Sequence, residues 1–172
     1  MNVTKAIIPV AGWGTRRLPI TKTIEKCMLP IGNRPLVDYV VQDCLKAGIA
    51  ELFFVVGEDS TQLEDYYRSN IKLNDYLRRN GKDDKLSMVA PLDGVKLHFI
   101  TQPSYGKYGT AVPIELCAEY VNEGESVVVL MGDDFIWNDD GSSEVKRLLD
   151  ATPEGDCGLL AARVAREEVS KY

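Results

Sequence analysis

The chain has 172 residues, 45% hydrophobic and 27% charged, the composition of an ordinary globular protein long enough for one domain with a real core. Its net charge of −6 argues against a nucleic-acid-binding face, and no apolar run approaches the ~20 residues of a membrane span. Cys27, Cys44, Cys117 and Cys157 stand far apart without a C-x-x-C, against a zinc site or disulfide framework, and the N-terminus lacks the apolar segment of a signal peptide. The expected setting is the cytoplasm, with buried, reduced thiols.

In chain order, Ala6–Val10 reads as a buried strand whose Pro9, lacking a ladder donor, belongs near its end. The loop that follows runs Ala11, Gly12, Trp13, Gly14, Thr15, Arg16, Arg17. Gly12 and Gly14 free the backbone so that consecutive N–H groups can turn toward an anion. Thr15 adds a hydroxyl, and Arg16, Arg17, Lys22 and Lys26 supply cations suited to phosphate oxygens. So much local positive charge in an acidic chain suits a small phosphorylated ligand. Two familiar glycine loops are excluded: G-x-G-x-x-G requires glycine where Arg17 stands, and G-x-x-x-x-G-K-[ST] is absent.

Gly12-x-Gly14-Thr15-Arg16-x-x-Pro19-x-Thr21-Lys22, followed by Lys26-x-Met28-Leu29-Pro30, closely resembles the signature of the sugar-1-phosphate nucleotidylyltransferases, and among them the bacterial UTP–glucose-1-phosphate uridylyltransferases. The resemblance implies an α/β fold: a Rossmann-like three-layer sandwich with a mostly parallel central sheet and helices on both faces. One departure stands beside the signature lysine, where the family usually has proline and this chain has Glu25. An acid there is expected to pair with Lys26 and blunt its field.

From Pro35, apolar residues at 36, 37, 40, 41, 44 and 45 predict an amphipathic helix with Pro35 at its first position and Gly48 just past its end. Leu52–Val56 is a continuous apolar strand of the kind buried on both faces of a parallel sheet, reached by a right-handed crossover. Residues 60–85 predict one or two surface helices, and the stretch is similar to a helical insertion of the uridylyltransferases that thymidylyl-transferring relatives lack. Lys96–Ile100 is a third strand, with His98, the only histidine, as a strand residue rather than a catalyst. Gln102 follows at its carboxyl end with the donor and acceptor that the edge of a pyrimidine requires. The resemblance assigns it base reading together with nearby glycines. Lys107 occupies a position where glycine is common, leaving Gly106 and Gly109 as candidates.

Residues 111–121 predict a helix capped by Thr110, with Pro113 in its first turn. Ser126–Met131 is the most strongly buried-looking strand, and it ends in Gly132-Asp133-Asp134, placing Asp133 at the crevice where open α/β sheets bind ligands. Asp133 is the metal candidate, and the family's magnesium-binding aspartate follows such a strand. Residues 139–141 form a turn, Ser142 or Ser143 caps a further helix, and Cys157–Ala162 opens a fifth strand.

The implied reaction transfers a uridylyl group from UTP to glucose 1-phosphate, giving UDP-glucose and pyrophosphate. The nucleophile is already ionised, so the work is charge and positioning. The backbone of Ala11, Gly12, Trp13, Gly14 and Thr15 would cradle the triphosphate and base, Arg16 the β- and γ-phosphates, Lys26 the α-phosphate, and Asp133 Mg²⁺. The resemblance covers the whole of 1–172 as the nucleotide-binding N-terminal portion of a nucleotidyltransferase domain. It stops at Tyr172, before the family's sugar-contacting glycine, its Glu-Lys pair and a second metal aspartate. The expected partners are UTP and glucose 1-phosphate, with neither nucleic acid nor membrane, and a homo-oligomer at full length. Alternatives are a thymidylyltransferase on a related sugar 1-phosphate, a nucleotide-sensing module that binds without turnover, and a nucleotide-sugar-dependent glycosyltransferase, which gives no reason for the Gly-x-Gly-Thr-Arg loop.

Overall fold

A computed structural model describes residues 3–107, 109–161 and 163–167. Its strands are β1 (Lys5–Pro9), β2 (Pro30–Ile31), β3 (Arg34–Pro35), β4 (Glu51–Gly57), β5 (Lys96–Gln102) and β6 (Val128–Val129). Its α-helices are α1 (Leu36–Lys46), α2 (Gln62–Tyr67), α3 (Ile71–Arg79), α4 (Val112–Cys117) and α5 (Glu144–Ala151).

The main sheet has the order β5-β4-β1-β6, with every neighbouring pair parallel. β2 and β3 form a separate antiparallel hairpin. Side chains of β1 and β4 alternate between two buried faces. Ala6, Ile8, Leu52, Phe54 and Val56 join Val37, Val40, Val41 and Cys44 of α1, Leu63 of α2 and Val145 of α5. Ile7, Phe53 and Val55 meet Cys117 and Leu116 of α4 on the opposite face. Helices on both faces of a parallel sheet give the three layers expected, because a strand apolar at every position must be covered twice.

α1 starts after Pro35, its N-cap, and Gly48 follows the helix end at φ 88°. The 60–85 region holds two helices, as foreseen. Tyr67 is a core residue: its hydroxyl donates to the buried Asp38 carboxylate at 3.2 Å, and its ring stacks on Phe54. Pro113 lies in the first turn of α4.

Three expectations need correction. The strand foreseen over 126–131 is regular only at Val128–Val129 and lies at the sheet's edge, with Val129 38% exposed. Among the described residues β1 is its one partner strand, although bonds from the Leu130 N–H to the Ile7 carbonyl (3.0 Å) and the Gly132 N–H to the Pro9 carbonyl (3.3 Å) carry the pairing further. The N-cap of α4 is Ala111, with no side-chain cap bond, rather than Thr110. Residues 157–161 form no strand and are exposed, because no described strand lies beside them; Ala162 lies outside the described residues, as do 169–172.

Candidate active site

Since all four main strands are parallel, their carboxyl ends share one edge of the sheet. The order along that edge is Gln102 at the end of β5, Gly57 at the end of β4, the glycine loop after β1, and the 130–133 segment after β6. The edge spans three strand spacings, about 14 Å. Gln102 thus stands on one side of the glycine loop and the segment that carries Asp133 on the other. The place between β1 and β6 is where strand order reverses, which is where open α/β sheets leave a crevice.

The glycine loop leaves the sheet after the Val10 N–H donates to the Val55 carbonyl at 2.8 Å. Gly14 then adopts φ 62°, ψ 35°, the left-handed region that a side chain opposes. Its carbonyl accepts from the Arg17 N–H at 2.8 Å and from the hydroxyl of buried Thr21 at 2.9 Å, closing the turn over residues 15–17. A Cβ built on Gly12 would meet nothing within 4 Å, so the peptide there faces open space. Trp13, Thr15 and Arg16 are exposed, and Ala11 is half-buried. Arg16 makes no ion pair among the described residues.

Lys26 donates from Nζ to Oδ2 of Asp133, across 107 positions of sequence. The stem of Lys26 also packs against the loop: a Cβ on Gly14 would lie 3.0 Å from the Lys26 Cβ. Lys26, Asp133 and the glycine turn thus occupy one place. Asp133 is set there by Gly132, where a Cβ would clash with Val10 at 2.2 Å, so only glycine lets this segment pass so close to β1. Cys27 is buried beside Lys26. Burial, first, and then the charges of Glu25 and Asp133 push its thiol up to about 12, so it remains a protonated core residue.

Glu25 does not pair with Lys26, against expectation. Its Oε1 accepts from the backbone N–H groups of Thr61 (3.1 Å) and Gln62 (3.0 Å), and its Oε2 from the Ser60 hydroxyl (2.7 Å). Backbone donors at the start of α2 outcompete the neighbouring ammonium, which faces the other way. Sequence reasoning missed Ser60 and Gln62 as supports of the loop, because nothing in their spacing signals contacts 35 and 37 positions away.

Gly106 and Gly109 lie in the loop after β5 at φ 120° and 136°, both exposed. Lys107 between them pairs with Glu115 of α4 at 2.6 Å, so its charge turns toward α4. His98 sits mid-strand, bonded to Glu51 at 2.8 Å and stacked on Phe53, a strand residue as expected. Among the described residues no three His, Cys, Asp or Glu side chains form a metal cluster, and no helix is long and apolar enough to cross a membrane.

A parallel sheet with a glycine turn, a lysine and an aspartate gathered at its carboxyl edge is the architecture of a nucleotide-handling α/β protein. The nucleotidyl transferase family model matches residues 5–172, and the chain belongs to that family. It is 39% identical over 99% of its length to UTP–glucose-1-phosphate uridylyltransferase 2 of Streptococcus pyogenes, covering 57% of that protein. The UTP-bound UDP-glucose pyrophosphorylase of Acinetobacter baumannii superposes with a TM-score of 0.78 at 28% identity, over 87% of this chain and 52% of that one. A UDP-glucose pyrophosphorylase complexed with UDP-glucose gives 0.74 at 32% identity, over 99% of this chain and 61% of that one. The chain therefore spans little more than half the length of these relatives.

Proposed function

We propose that this chain is the nucleotide-binding portion of a UTP–glucose-1-phosphate uridylyltransferase. The observation that carries the reading is the meeting of Lys26 and Asp133 beside the left-handed turn at Gly14. The names of the relatives supply the substrates: UTP and glucose 1-phosphate in, UDP-glucose and pyrophosphate out.

In the reaction an anionic phosphate oxygen of the sugar phosphate forms a bond to the α-phosphorus of UTP, and the bond from that phosphorus to the α,β-bridging oxygen breaks. No general base is needed, so the residues hold anions together. The open backbone from Ala11 to Thr15 cradles the triphosphate, Arg16 takes the β- and γ-phosphates and Lys26 the α-phosphate. Gln102, with Gly106 and Gly109 beyond it, takes the base. Asp133 is the residue that would hold a divalent cation, and a lone carboxylate at a phosphate site fits Mg²⁺, which binds through one or two carboxylates plus substrate oxygens. The cation's contribution is to neutralise phosphate charge.

The Lys26–Asp133 pair must part when these ligands arrive. Both side chains are about one-third exposed (36% and 31%), and pairs so placed are worth only about 0–1 kcal/mol, so separation costs little. A cytoplasmic setting and a homo-oligomeric full-length form belong to the same proposal.

The test is pyrophosphate release by the intact chain given UTP, glucose 1-phosphate and Mg²⁺. Release that falls roughly 10²–10³-fold in Lys26→Ala is expected for loss of one electrostatic contact at the transferred group. Release no greater than that of Lys26→Ala, with UTP still bound, would replace the transferase by a nucleotide-sensing module. Substituting dTTP for UTP decides the base.

A further inference from the structure

We propose that Glu25 is a positioning residue for Lys26, acting through a hydrogen-bonded seam that fixes the lysine's backbone to the turn after β4. The proposal rests on the nucleotide-binding reading above and deepens it.

The seam has five bonds. Three go to the Glu25 carboxylate from Ser60, Thr61 and Gln62. Gln62 returns two: its Oε1 accepts from the Glu25 N–H at 3.1 Å, and its Nε2 donates to the Thr23 carbonyl at 2.7 Å. Residues 23–25 are thereby tied to residues 60–62. The latter are anchored in turn, since the Ser60 N–H donates to the carbonyl of Gly57, the last residue of buried β4, at 3.1 Å.

Lys26 lies between two fixed neighbours, Glu25 in the seam and Cys27 in the core. A lysine side chain is long and flexible and binds as a point charge, with little geometry of its own. Its reach toward Asp133 and a phosphate depends on where the backbone starts it. Had Glu25 paired with Lys26, it would have cancelled the charge; turned toward residues 60–62, it sets the origin of that charge and leaves the ammonium to Asp133 and an incoming anion.

Calorimetric titration of the full chain with UTP plus Mg²⁺, and separately with uridine, tests this. Glu25→Ala is expected to weaken UTP·Mg²⁺ roughly tenfold, the size of coupling found between interacting neighbours, and to leave uridine affinity unchanged. Glu25→Gln keeps a carbonyl acceptor for the Thr61 and Gln62 N–H groups and should stay within about threefold of the parent. In a Lys26→Ala background, Glu25→Ala should have no further effect, which a merely structural role would not produce. Should Glu25→Ala fail to fold, Ser60→Ala removes a single bond of the seam and is expected to shift UTP·Mg²⁺ affinity the same way by a smaller factor. The proposal is overturned if these variants bind UTP·Mg²⁺ like the parent, if uridine binding falls equally, or if the Glu25 and Lys26 effects multiply. A parent chain that binds neither ligand overturns the nucleotide site itself, and the positioning role with it.

Discussion

Gly14 shows how much of the site one residue decides. At φ 62° a side chain opposes the backbone, and a Cβ would also come within 3.0 Å of both Lys26 and Thr21. Gly14→Ala is therefore expected to lose about 1–2 kcal/mol from the backbone alone, and to weaken UTP binding by displacing Lys26. Gly12→Ala, with open space around the new methyl, should change stability by less than about 0.5 kcal/mol. Urea denaturation of the two variants side by side separates the cases; equal losses would mean that the turn is not as described. Glu25 carries the opposite lesson. Adjacency in sequence suggested a pair with Lys26, yet consecutive residues rarely point the same way, and the carboxylate found better donors 35 to 37 positions later.

At the scale of elements, β4 supports the sheet. Its apolar run is continuous, and the structure divides it into Leu52, Phe54 and Val56 toward α1 and Phe53 and Val55 toward α4. Phe54 is fully buried, its ring stacked against Tyr67 and Phe99. Phe54→Ala should cost about 3–5 kcal/mol, the range for removing a buried aromatic, read as a lowered urea midpoint. A loss under about 1 kcal/mol would show that this face is loosely packed. The apolar run at 157–161 had the same local signature and made no strand, Leu159 being 87% exposed. A strand exists only where another backbone offers its N–H and C=O groups, and the run itself does not say whether one does.

For the molecule as a whole, burial sorts the four cysteines. Cys27, Cys44 and Cys117 are buried, and Cys157 is exposed. Burial raises all three buried thiols, Cys27 and Cys44 to about 12, so at pH 8 they remain protonated as well as inaccessible. A thiol reagent at pH 8 should accordingly modify one cysteine per native chain quickly and the other three only on unfolding. Two fast-reacting thiols would show that one of the helix-covered faces opens. The parallel sheet is the other whole-molecule fact, since it brings four carboxyl ends to one edge and concentrates cations of the glycine loop there in a chain whose net charge is −6.

The sequence alone determined the glycine turn, the burial of the first main strand and the two-faced burial of the second, the helix between them and the place of Asp133 after a strand. Each is written in residues within a turn or two of one another, where Cβ sterics and period decide. Only the tertiary structure decided that Lys26 meets Asp133, that Glu25 serves residues 60–62, and that the 126–131 run, read as the most buried strand, is regular over two residues at an edge of the described sheet. Those outcomes depend on strand order and register, which bring together groups separated by tens of residues, and no local pattern encodes which distant donor will win a carboxylate.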